Sequence, residues 1–200
     1  MRFFLFFLLF FTINTSLLKA DEVTGWLKSE IDFILNAYKN DSISNVEKFN
    51  LIEETINKNF AGKGIARFVA GNSWENSSKV DKNNYIKLFK KHLALSIASM
   101  MQGYSDQEYS LLNSRYDEQS KVSLIDMEIY SDTGKILITW RVKKSKNRLF
   151  VIDLLVADIS LVVTKRSEFN SMLKNVNYSL KELNIILKKQ NETSYQKLIN

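Results

Sequence analysis

The sequence predicts an α+β fold: a mainly antiparallel four-stranded sheet with flanking and capping helices. Three observations carry this. Apolar residues recur with helical period through residues 21–102 and again from Ser160 onward. Between these stretches lie four strand-like runs joined by short turn signals, so strands are segregated from helices and pair as hairpins. The strands also carry apolar residues at both parities, more than a sheet with one wet face needs. That surplus builds either a three-layer core or an apolar pocket, and composition leaves both open.

Each element has its own signal. Val23, Leu27, Ile31, Ile34, Leu35 and Tyr38 fall on one stripe of a helix over 21–38. After the polar break KNDSISN, Val46, Phe49, Ile52, Ile56 and Phe60 make a second amphipathic helix. AGKGIARFVAGNSW is a short helix, with Gly71 placed for a left-handed residue beyond its end. Ser77 or Ser78 caps a long helix to about Gln102, which GYSD then stops.

The strand runs are EYSLLNSR, SKVSLIDMEIYS, GKILITWRVKK and RLFVIDLLVA. Parity slips in the second between Leu124 and Ile125, as at a bulge. In the third, Ile136, Ile138, Trp140 and Val142 share a face. In the fourth, Phe150, Ile152, Leu154 and Val156 are assigned to one face, and Val151 and Leu155 to the other. Helices follow from Ser160 and from about Ser179, and residues 191–200 read as a polar tail.

The first 20 residues, MRFFLFFLLFFTINTSLLKA, have a basic start, an apolar block from Phe3 to Phe11 and a small residue at position 20. That is the layout of a secretory signal peptide cleaved after Ala20, leaving one domain over 21–190. The chain has no cysteine, which excludes a disulfide scaffold, a thiolate metal site and a cysteine nucleophile. Removing Arg2 and Lys19 leaves 26 basic against 22 acidic residues, a net of +4. Such a charge suits anionic lipid headgroups or acidic partners. No base-reading module is visible, so nucleic acid is not expected.

Little in the chain suggests catalysis or metal binding. His92 is the only histidine, lies on the apolar side of the long helix and has no nucleophile motif with it. A two-histidine metal site is impossible, and no phosphate loop or dinucleotide fingerprint appears. Asp126 and Glu128 read as outward-facing. Asp153 interrupts an apolar strand and is expected to pair with Arg67 or Arg141. Arg67 and Arg166 each stand inside an otherwise apolar helix, as residues for a pocket mouth or a structural ion pair. KKSKNR, Lys143 to Arg148, gathers four positive charges at a hairpin tip.

Three stretches together resemble one family. IARFVAGNSW (65–74), YIKLFKKHLALSIASMMQGYSD (85–106) and FVIDLLVADISLVVTKRSEF (150–169) are similar to the MlaC-type periplasmic phospholipid-binding proteins, also called the toluene-tolerance auxiliary component. The resemblance covers essentially the whole chain after the leader. The chain departs from the family pattern at Asp158 for glycine, Lys165 and Ile97 for tyrosine, Phe150 for tryptophan and His92 for leucine.

The resemblance implies a curved, NTF2-like sheet with a helical cap. It implies a monomeric, non-enzymatic carrier without cofactor, whose cargo is phospholipid. The carrier would work in the periplasm, between an inner-membrane ABC transporter with an MCE-domain subunit and an outer-membrane lipoprotein–porin complex. Tails would lie in an apolar pocket with the headgroup in solvent. Burying a tail of about fifteen methylenes provides on the order of 12 kcal/mol. The expected lining is Phe68, Val69, Phe89, Leu93, Ile97, Met101, Val122, Leu124, Ile138, Trp140, Ile152, Leu154 and Val156. The competing readings are an NTF2-like enzyme with Asp153 as general base, and a secreted interaction or chaperone module without a cavity.

Overall fold

The computed structural model describes residues 15–102, 107–131 and 134–200. Most of the expected leader lies outside them. The helices before the sheet are α1 (Thr15–Lys39), α2 (Asn45–Asn59), α3 (Gly62–Ala70), α4 (Asn72–Glu75) and α5 (Lys79–Met101). The strands are β1 (Tyr109–Asp117), β2 (Val122–Ser131), β3 (Gly134–Ser145), β4 (Arg148–Val156) and β5 (Ile159–Ser160). Two helices close the chain, α6 (Leu161–Lys174) and α7 (Leu180–Ile199). The strands form one sheet in the order β1-β2-β3-β4-β5, every neighbouring pair antiparallel. The α+β class holds, with five strands where four were expected. No described helix is long and apolar enough to cross a membrane.

Serine side chains set the helix starts. Ser44 accepts from the Glu47 N–H while the Glu47 carboxylate accepts from the Ser44 N–H, a reciprocal cap for α2. Ser78, Ser160 and Ser179 cap α5, α6 and α7 through the N–H three residues on. Each satisfies a donor that the helix itself leaves open.

Two side-chain amides fix how α5 and α7 pack. Asn184 Nδ2 donates to the Asp81 carbonyl at 3.1 Å and Asn191 Nδ2 to the Leu88 carbonyl at 2.8 Å. Donor and acceptor both advance by one heptad, so the helices run parallel in fixed register. Because of this, α7 continues to Ile199 and buries Asn191 and Leu198. The 191–200 stretch is therefore packed helix, not the expected polar tail.

The bulges are not where the sequence placed them. β2 pairs with β3 without interruption from Val122 to Ser131. The irregularities are in β1, between Leu111 and Ser114, and in β4, where Ile152 is the extra residue opposite Arg141 and Val142. The β4 bulge exchanges the expected faces of Phe150 and Val151, while Leu154, Leu155 and Val156 keep theirs. Phe150 pairs with Lys143 and Leu154 with Trp140, so the two lie on opposite faces, and Val151 shares the face of Leu154.

The main core lies between the sheet and α1, α2, α3 and α5. It holds Leu27, Phe49, Ile56, Val69, Phe89, Ile125 and Val151, all nearly inaccessible.

Candidate functional site

Register assigns each strand residue to a face. One row across the sheet runs Leu111, Met127, Ile138, Val156, Ile159, and the next runs Ser114, Ile125, Trp140, Leu154. This is the helix-facing side. Ile125 and Met127 are buried in the core, and Ile138, Trp140 and Leu154 pack half-buried against it.

Cover on this face is uneven. α1 packs over β1 and β2, while α2, α3 and α6 meet β4. β3 lies between these contacts and is covered least. Exposure along β3 rises from 1% at Val142 to 44% at Ile136, and across the row from 3% at Met127 to 65% at Ile159. The result is an apolar strip (Ile136, Ile138, Val156, Ile159) that leads from packed core to solvent.

The opposite face mixes apolar residues with the ion pairs of the sheet. Asp126 accepts from Arg115 and from Thr139 Oγ1, and Glu128 pairs with Lys135 at 3.2 Å. Val122 and Leu124 lie on this face, away from Ile138, Trp140, Leu154 and Val156. Ile152, as the bulge residue, has no partner on β3.

The helical candidates also divide. Val69, Phe89 and Leu93 are buried, and Phe89 packs edge-on to Phe169 at 5.4 Å. Ile97 and Met101 are half-buried against the core. Phe68 is 43% exposed, and the Arg166 guanidinium stacks 4.4 Å from its ring centroid while donating to the Phe68 carbonyl at 2.7 Å. Arg166 thus ties the end of α3 to α6. The same guanidinium lies over Gly71, whose φ of +55° suits glycine.

The other two charged candidates have structural partners. Arg67 pairs with Glu75 at 2.7 Å on the surface. Asp153 is 5% exposed and is held by Arg141, on the face opposite the strip. One of its oxygens accepts from the N–H groups of Leu154 and Val162, the other from Ser160 Oγ and Arg141. Four donors on one buried carboxylate anchor β4 to the start of α6, and they argue against a free base facing an apolar cup.

Of the KKSKNR tip, Lys144 pairs with Glu22 at 2.7 Å. Arg148 stacks on Phe150 and donates to the Lys58 carbonyl. Among the described residues no three His, Asp or Glu side chains converge as a metal site would.

Two open depressions lie in the helical layer. One, of about 500 Å³, is lined by His92, Glu168, Phe169, Met172, Lys189, Gln190, Thr193 and Ser194. The other, of about 480 Å³, follows the end of α7. His92 sits edge-on to Phe169 at 5.4 Å, its Nε2 buried near Asn191 without a well-formed hydrogen bond among the described residues. Burial first, then the Lys165 charge, hold its pKa down at about 4, with Asn191 and Glu168 pulling weakly the other way.

Sequence reasoning missed Ile159 as part of the strip. It follows a turn, and only the pairing of Val156 with Ile159 puts it on this face. Ile136 was within reach, since it alternates with Ile138.

No curated protein matches this chain. Among solved structures, the fold matches a phospholipid-binding protein from Ralstonia solanacearum, solved in complex with a phospholipid. The TM-score is 0.71 at 16% sequence identity, over 84% of this chain and 96% of that one. The family model described as MlaC protein matches residues 29–189, and the chain belongs to the MlaC family.

Proposed function

We propose that this protein carries phospholipid, its acyl tails lying along the Ile136–Ile138–Val156–Ile159 strip and its headgroup in solvent. The graded exposure of that strip carries the reading, because an apolar surface that rises from core to solvent costs free energy until something apolar covers it. Family membership and the phospholipid in the Ralstonia solanacearum structure support it.

The wider reading places the carrier in the periplasm as a monomer, after removal of residues 1–20. There it moves lipid between an inner-membrane MCE-domain ABC transporter and an outer-membrane lipoprotein–porin complex. Trp140 and Leu154, in the row beside the strip, extend the lining inward. Ile97, Met101 and Phe68 are proposed as the helical side. Val69, Phe89 and Leu93 become lining only if tails part the helices from the sheet.

The test is organic extraction of the purified protein followed by mass spectrometry, repeated for Ile138→Asp and for the opposite-face control Leu137→Asp. Wild type and Leu137→Asp should yield phospholipid, and folded Ile138→Asp should yield none. Lipid-free wild type that also takes up none from labelled vesicles would leave an interaction module as the better reading.

A further inference from the structure

The positive charge of this chain is segregated. α5, α6 and α7 carry 12 Lys and Arg against 4 Asp and Glu, a net of +8, whereas the whole chain is +6, leaving the remainder at −2. Within these helices Lys165 pairs with Glu168. Exposed Lys87, Lys174, Lys181, Lys188 and Lys189 have no carboxylate at ion-pair distance among the described residues.

Some of these lysines frame exposed apolar side chains. Lys181, Ile185 and Lys188 share one side of α7, and Val80 and Lys87, one heptad apart, share one side of α5. These are the same side of the helix pair, because Lys91 reaches over the Tyr195 ring at 5.1 Å. Lys91 follows Lys87 by one turn, and Tyr195 follows Lys188 by one heptad. The Asn184–Asp81 contact brings Ile185 level with Val80. Val80 is 68% and Ile185 61% exposed. At the same end Tyr178 is 50% exposed and held at φ 58°, after Asn177 at φ 51°. The left-handed pair closes α6, the Tyr178 N–H donating to the Leu173 carbonyl at 2.7 Å, and it leaves the Tyr178 ring half in solvent beside the start of α7.

We infer that this end of the α5–α7 pair docks on the surface of an anionic phospholipid bilayer. Val80, Ile185 and Tyr178 would enter the headgroup zone, and the unpaired lysines would lie against lipid phosphates. An acidic protein would satisfy the charge alone. Aliphatic and aromatic side chains ringed by long-stemmed lysines fit the interface of a bilayer, where each finds its own layer.

The experiment is co-sedimentation of the purified protein with vesicles of phosphatidylcholine alone, or mixed with phosphatidylglycerol, at low and high salt. Binding is expected only to the mixed vesicles and should weaken with salt. Lys181→Glu with Lys188→Glu should weaken it by about tenfold or more, and Ile185→Ser should weaken it at low salt. Lys143→Glu with Lys146→Glu at the β3–β4 tip should leave it unchanged.

Equal binding to both vesicle types, no binding to either, or a normal Lys181/Lys188 variant would overturn the docking surface. No binding would assign the basic face to an acidic protein instead. Cargo is read separately, by extracting lipid from the same variants. Loss of docking with retained cargo concerns this surface alone, and absence of cargo with retained docking concerns the carrier reading alone.

Discussion

Asn191 reaches from α7 into α5 and donates its amide to the Leu88 carbonyl at 2.8 Å, while its Oδ1 is buried toward His92 without a well-formed hydrogen bond among the described residues. The Leu88 carbonyl sits mid-helix, where the helix supplies its own donor, so little is lost there if the amide goes. The buried Oδ1, by contrast, is a desolvated acceptor. Asn191→Leu should therefore raise stability by about 1 kcal/mol, and Asn191→Ala should lower it by about 1–2 kcal/mol through the cavity it leaves. Urea midpoints decide: a less stable Leu variant would show that Oδ1 has a partner in solution.

His92 is expected to make the protein acid-sensitive before its carboxylates do. Its folded-state pKa, about 4, lies below the ordinary 6.5, so the unfolded chain binds the proton more readily. Stability is then full above about pH 6.5 and falls as pH drops toward 4, by on the order of 3 kcal/mol. Asp32, held low by Lys28 and Tyr109, adds its own loss only below the ordinary carboxylate range. His92→Leu should flatten the fall in urea midpoint between pH 7 and pH 5. An unchanged slope in that variant would place the sensitivity elsewhere.

Where one chemical signal dominated, the sequence was readable. Ser160 and Ser179 announced α6 and α7 because a hydroxyl before an apolar run has one favourable job. Ile138, Leu154 and Val156 fell on the helix-facing side as alternation implied. Val122 and Leu124 did not, because β2 is apolar at both parities and only its pairing with β3 tells the faces apart. The β4 bulge left no trace, since Val151, Ile152, Leu154 and Leu155 are apolar on either side of the slip. The end of α7 was hidden for a different reason: its buried seam uses Asn184 and Asn191, which look like surface residues in a sequence.

The β4–β5 turn offers a direct test of backbone strain. Ala157 at φ 47° and Asp158 at φ 63° are both left-handed, in the two-residue loop between the paired Val156 and Ile159. This loop geometry favours Asn-Gly, and alanine pays for its Cβ. Asp158→Gly should raise the melting temperature, by roughly 0.5–1 kcal/mol in stability. Ala157→Val should lower it by about 1–2 kcal/mol. If Asp158→Gly lowers the melting temperature instead, the aspartate makes a contact that outweighs the strain.

Asp153 separates a structural carboxylate from a catalytic one. It accepts from the Val162 N–H at 3.1 Å and from Ser160 Oγ at 2.7 Å, which fixes the first turn of α6 against β4. Asparagine keeps one acceptor but turns an N–H₂ toward Ser160 or toward the backbone donors. Asp153→Asn should therefore cost about 2 kcal/mol and speed hydrogen exchange at Val162. Arg141 is 38% exposed and 3.5 Å away, so Arg141→Met should cost less than about 1 kcal/mol. The ordering matters more than either value, because it says the carboxylate is held mainly by the α6 start and only weakly by its ion pair. An Asp153→Asn protein as stable as wild type, with unchanged exchange at Val162, would free the carboxylate from this role and reopen the reading of Asp153 as a base.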